Sequence, residues 1–177
     1  MSINNINISI VPCYPRGDNQ TGELHLTKVH TEFPIVTDAN GNRYIKELYF
    51  AVLIDAMQNP AFDVSKTDVF DFNTNYKVRL RLAETVNNSS HDLDEFDTKI
   101  KFAKARQTLG QYEMGHLCHI CFFENIPLPP KEDNQYFVVK VLMKKFETED
   151  DAEQDWILQN IHKFNFFEAE DNQMKIF

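Results

Sequence analysis

The chain has 177 residues, 42% of them hydrophobic and 12% aromatic, and a formal net charge of −9. That length accommodates one domain around one core, and fifteen Phe against a single Trp point to a core of phenyl rings. The acidic balance counts against a nucleic-acid partner, because phosphate backbones repel such a surface unless it segregates a basic face.

Three cysteines are an odd number, which fits a reducing compartment better than a disulfide scaffold. The first residues, MSINNINISIVPCY, lack a basic stretch followed by a long apolar one, so they do not read as a secretory signal. The longest apolar run, residues 48–57, is broken by Asp55 and is too short to span a bilayer. The expectation is a cytoplasmic protein with no membrane partner. The abundance of Asn, Lys and Ile suggests an AT-rich genome, bacterial or phage.

Residues 1–11 carry Ile at 3, 6, 8 and 10, which fits a first edge strand or a loose arm. Residues 13–22 form a turn-rich loop that includes Arg16-Gly17-Asp18, read as a chance match to an integrin motif in a cytoplasmic chain. Residues 23–36 read as extended, with Val29, Thr31, Phe33 and Ile35 alternating with polar partners. Asp38-Ala39-Asn40-Gly41-Asn42 is a hairpin signal, because Asn and Gly tolerate positive φ. Residues 43–55 become continuously apolar at 48–54, as a strand buried on both faces would.

Residues 63–75 are polar and turn-prone, anchored by Val69, Phe70 and Phe72. Residues 76–83 alternate best: Tyr76, Val78, Leu80 and Leu82 face one way, and Lys77, Arg79 and Arg81 the other. This predicts an antiparallel sheet with one wet face. Residues 84–97 are expected to be a long polar loop, and 96–109 a strand followed by a loop. Residues 112–123 and 136–146 are expected to pair as strands around the proline-rich connection at 127–134. Six acids then fall within 147–155, and Thr148 and Asp151 fit a capping box. They precede Trp156, Ile157, Leu158, Ile161 and Phe164, which predicts an amphipathic helix over 149–163.

The stretch GHLCHICFF, residues 115–123, places His116, Cys118, His119 and Cys121 within six positions. Zinc sites use these residue types, usually as two paired knuckles, and here a second pair is missing. On a strand, alternate side chains point to opposite faces. His116, Cys118, Ile120 and Phe122 would share one face, and Leu117, His119, Cys121 and Phe123 the other. Four ligands on one ion are therefore excluded, and a His116/Cys118 site would need His25 or His30 to complete it. Cys118 and Cys121 form a C-x-x-C, but without the strand-to-helix turn that lowers a redox thiol's pKa.

The acidic run His91 to Asp97 lacks the Gly and Glu of an EF-hand loop and reads as a solvated loop. Lys99, Lys101, Lys104 and Arg106, with Lys77, Arg79 and Arg81, read as a surface that pairs with the protein's own acids. Nucleophile-elbow, P-loop, dinucleotide and H-E-x-x-H motifs are absent.

The sequence therefore predicts a mainly β protein: a single antiparallel β-sandwich, loosely similar in layout to C2-like, jelly-roll or immunoglobulin-like sandwiches, with one amphipathic C-terminal helix. Residues 1–146 would be the sandwich, with 147–177 packing on it. The expected function is a non-catalytic cytosolic interaction or accessory module that binds a protein partner or self-associates. Catalytic, cofactor and metal residues are assigned as none. The alternatives are a metal-binding domain or metal-dependent hydrolase using His116 and Cys118, and a phage or mobile-element structural or accessory protein.

Overall fold

The computed structural model describes residues 4–17, 24–27, 32–58, 61, 69–100, 106–110, 112–145 and 156–170. As expected, the fold is mainly β. Among the described residues eleven strands run in chain order: β1 (Ile6–Pro12), β2 (Tyr14–Gly17), β3 (Leu24–Thr27), β4 (Glu32–Thr37), β5 (Arg43–Gln58), β6 (Tyr76–Val86), β7 (Ser89–Ile100), β8 (Arg106–Leu109), β9 (Tyr112–Leu128), β10 (Tyr136–Lys145) and β11 (Ile157–Glu170).

Eight strands form one path in the order β7-β6-β10-β11-β4-β5-β9-β8, and β1 joins by pairing with β5. β2 and β3 make a separate two-stranded ribbon. The spine is the antiparallel β5/β9 pair, which runs from Arg43 opposite Leu128 to Gln58 opposite Glu113. β4 pairs with the start of β5, at Tyr44 and Arg43, while β1 pairs with its later part, residues 50–56. β4 and β11 are parallel, so the sheet is mixed rather than wholly antiparallel.

Alternation selects what lines the interior. Ile8 and Ile10 of β1 are buried, as are Leu48, Phe50, Val52, Ile54 and Ala56 of β5 and Tyr76, Val78, Leu80 and Leu82 of β6. Phenyl rings fill the middle: Phe33 lies 6.0 Å from both Phe50 and Phe164, Phe50 5.2 Å from Phe164, and Phe137 4.7 Å from Phe166. Tilted and edge-on rings at such spacings gain quadrupole attraction beyond area burial. A second cluster stacks Phe70 on Tyr76 at 4.9 Å, and the Tyr76 hydroxyl accepts the backbone N–H of Asp71 at 2.7 Å. Burial pushes the Tyr76 phenol up to about 12.

The hairpin signal at residues 38–42 is realised. The Asp38 carboxylate accepts the N–H groups of Asn40 and Asn42, and Gly41 takes φ +84°. The Asn42 side-chain amide, which donates to Asp38 Oδ2 at 2.9 Å, is the main cause that holds the Asp38 carboxyl below its usual range, with the backbone N–H groups adding to it.

Several expectations are corrected. Residues 84–97 are not a loop. Asn87 and Asn88, both at positive φ, turn β6 directly into β7. This is the two-residue hairpin geometry that Asn tolerates. Residues 112–123 and 136–146 do not pair with each other: β9 lies between β5 and β8, and β10 between β6 and β11. The proline-rich connection is thus a crossing, not a hairpin turn.

The helix expected over 149–163 is also replaced, because Ile157 onward is strand, laddered to β10 on one edge and from Asn165 to β4 on the other. Residues 146–155, which include the whole acidic segment, lie outside the described residues, as do Asp18, His30, Lys101, Lys104 and residues 171–177.

Two substitutions on the spine measure how alternation divides the energy. Phe50→Ala is expected to cost about 3–5 kcal/mol in urea unfolding. Phe122→Ala, on the other face and 44% exposed, should cost about 1 kcal/mol or less.

Candidate functional site

The β1, β5 and β9 registers align side chains in rows across the outer face. Asn7, Asp55 and His116 form one row, Ser9, Leu53 and Cys118 the next, and Val11, Ala51 and Ile120 a third. Beyond these, the Cys13 N–H donates to Tyr49 O, and Tyr49 stands opposite Phe122. The first row is polar and exposed; Cys13 and Ala51 are buried.

The Asp55 Oδ1 lies 2.6 Å from His116 Nδ1, with both side chains more than half exposed. The carboxylate fixes one ring nitrogen and leaves Nε2 as the free face of the imidazole. Cys118, two residues on, shares this face. Partial burial pushes its thiol up, so it is a protonated and weak nucleophile near neutral pH. No group of three or more His, Cys, Asp or Glu that could hold a metal ion occurs among the described residues. His25 lies on β3 opposite Arg16.

The other half of the stretch points inward. Cys121 is fully buried, and desolvation pushes its thiol up to about 12. Cys118 and Cys121 are on opposite faces of one strand, which denies them disulfide geometry. His119 Nε2 sits 2.9 Å from Thr98 Oγ1 of β7. Burial lowers the His119 pKa, and it does the same to His162 of β11, whose buried Nε2 has no hydrogen-bond partner.

The acidic run and the basic strand satisfy each other. Arg79 faces Asp97, and Arg81 faces Glu95, across the β6/β7 ladder. The Arg79 Nε and Nη2 donate to the two Asp97 oxygens at 2.7 and 2.8 Å, a bidentate fork. Arg81 pairs with Glu95 and with Asp92, and Lys140 of β10 reaches Asp92 at 3.0 Å. The Trp156 ring stacks 4.2 Å from the Arg79 guanidinium. These acids are therefore engaged by the protein's own cations rather than gathered as a calcium cradle.

One polar network was not anticipated from the sequence. Arg43 Nη1 donates to Pro129 O at 2.7 Å, and Nη2 donates to Glu168 Oε1 at 2.7 Å and to Gln135 Oε1 at 3.2 Å. Gln135 Nε2 then donates to Glu84 Oε1 at 2.8 Å, and Glu84 is 3% exposed. Continuing the alternation of Tyr76, Val78, Leu80 and Leu82 by one step would have put Glu84 on the inner face. The network ties β5, β6, β11 and the β9–β10 crossing at one end of the interior.

No helix of the described residues is long and apolar enough to cross a membrane. No protein-family model matches the chain, and no curated protein matches its sequence.

Two measurements check this description. Arg43→Ala should destabilise by about 1–3 kcal/mol, because it removes three hydrogen bonds, two of them part-buried. Asp55→Ala, at an exposed pair, should cost about 1 kcal/mol or less. Separately, the lowered pKa values of His119 and His162 mean that the unfolded chain binds more protons than the fold. Their stabilisation is complete above the ordinary histidine value of 6.5 and is lost as pH falls through the lowered folded values. Thermal melts over a pH series should show that fall, and the double variant His119→Gln/His162→Gln should flatten it.

Proposed function

We propose that this chain is a non-catalytic interaction module whose curled sheet serves as a sandwich-like body, and that its occupant is a second copy of itself. The carrying observation is the outer face of β11. Leu158 and Ile161 are 43% and 52% exposed there. β11 is laddered to β10 at residues 157–164 and to β4 at residues 165–170. Leu142, opposite Leu158 in the β10 ladder, is itself buried beneath this face. A patch on one face can meet its own image across a two-fold axis, the commonest symmetry of soluble oligomers.

The chemistry-bearing groups support the absence of a reaction from the reading. The Cys118 and Cys121 thiols are raised, His116 is paired with Asp55, and the acidic run is paired with Arg79, Arg81 and Lys140. Three free thiols support a reducing, cytoplasmic setting.

Light scattering after size exclusion, over a concentration series, tests the proposal. A mass that rises with concentration in the wild type and stays monomeric in Leu158→Asp/Ile161→Asp is expected. A wild type that stays monomeric throughout rejects self-association through this face.

A further inference from the structure

β7, at one end of the strand path, meets β9 with no backbone ladder between them among the described residues. β7 is the first strand, paired only to β6. β9 is the seventh; β8 covers one of its edges only at residues 112–115, while β5 covers the other along its whole length. What holds β7 against β9 is side chains: Thr98 Oγ1 against His119 Nε2 at 2.9 Å, and the Phe96 ring 5.6 Å from that of Phe122. Every other neighbour in the path is joined by paired backbone groups. Among the described residues this junction has side-chain contacts and no ladder, and its polar link is a histidine.

We propose that the β7/β9 contact is an acid-released seam: protonation of His119 frees the β6–β7 hairpin edge from β9 and uncovers the inner face while the rest of the sheet stays laddered. The inner face behind it holds Ile100, Cys121 and Phe123, all buried.

The surroundings of His119 fit that role. From β7 it meets Thr98, with Phe96 and Ile100 on the same face. Asp97 and Lys99 alternate to the other face, where Asp97 is held by Arg79. From β5, Val52 stands opposite. On β9 itself the same face carries Leu117 and Cys121, and that thiol, pushed up to about 12, stays uncharged. His116 alternates outward, against Asp55. Burial, not a neighbouring charge, lowers the His119 pKa. Among the described residues no carboxylate pairs with His119, and its half-buried ring is partly stripped of water, so release to water accommodates the charge.

The test is hydrogen–deuterium exchange by mass spectrometry on the full chain at pH 7 and pH 5, corrected for intrinsic rates. Uptake should rise severalfold in peptides covering β7 and residues 116–123 of β9, and keep its pH 7 level in β10 and β11. His119→Gln retains a side-chain hydrogen bond to Thr98 but does not titrate, so its exchange should show no acid response. His162→Gln should respond like the wild type. If His119→Gln fails to fold, NMR titration of the wild-type ring decides. His119 protonation should then coincide with shifts at Thr98, Phe96 and Phe122. A uniform rise across all strands, an acid response that persists in His119→Gln or vanishes in His162→Gln, or a His119 titration silent at Thr98 would each overturn the proposal.

Discussion

The long antiparallel ladder between β5 and β9 is the constraint on which the rest depends. It is laddered from Arg43 and Leu128 to Gln58 and Glu113. A strand pair has only two faces, and a one-residue slip would exchange them. Leu48, Phe50, Val52, Ile54, Cys121 and Phe123 are buried together in the observed register. A slip would expose that set and bury Asp55, Glu124 and His116 instead. The apolar interior therefore fixes the register. The register in turn decides that His116 and Cys118 look outward while His119 and Cys121 look inward. A segment that reads as a ligand cluster in one dimension is thus two unrelated halves in three. One half carries an exposed Asp–His pair and a thiol, the other a packed thiol and the seam histidine.

Polar groups elsewhere are consumed in the same way. The β6/β7 hairpin matches cation to acid across its ladder, Arg79 with Asp97 and Arg81 with Glu95. Such cross-strand pairs act at near-contact distance on one sheet face. They also place charge along β7, the edge strand, which discourages edge-to-edge pairing with another chain. At one end of the interior, Arg43 organises Gln135, Glu168 and the Pro129 carbonyl, and Gln135 passes the network to Glu84. A guanidinium suits this place because its fixed fork reaches several acceptors at once.

Much of this was legible in the sequence where a pattern had a period of two and a clear turn. Residues 76–83 and the Asp38–Asn42 turn show that directly, and so does the two-faced reading of residues 115–123. Three features were not legible, for physical reasons. β7 looks like a loop because its outer positions are acids, whose partners Arg79 and Arg81 lie on the preceding strand. The pairing of residues 112–123 with 136–146 looks local because a proline-rich link joins them, yet the link crosses between different parts of the sheet.

β11 looks helical because its ladder with β10 shifts register: Leu158 stands opposite Leu142, but Asn160 stands opposite Val141. The extra residue resets the alternation. Leu158 and Ile161 then share the outer face three residues apart, and with Ile157 and Phe164 of the inner face they fall at spacings of three and four, which is also the signature of an amphipathic helix. Strand pairing, a tertiary fact, decides between the two. His119 was visible as an inward residue, but its partner Thr98 could not be placed before β7 was known to be a strand lying against β9.

Thiol labelling of the native protein tests the face assignment most directly. With a small maleimide in excess at mildly alkaline pH, Cys118, exposed on the outer face of β9, should react in the folded protein. Cys121 and Cys13, at 0% and 1% exposure, should react only after denaturation. Peptide mapping should therefore find one labelled cysteine in the folded chain and three in the unfolded one. Labelling of Cys121 as fast as Cys118 in the folded protein would contradict the register from which the rest of the structure is built.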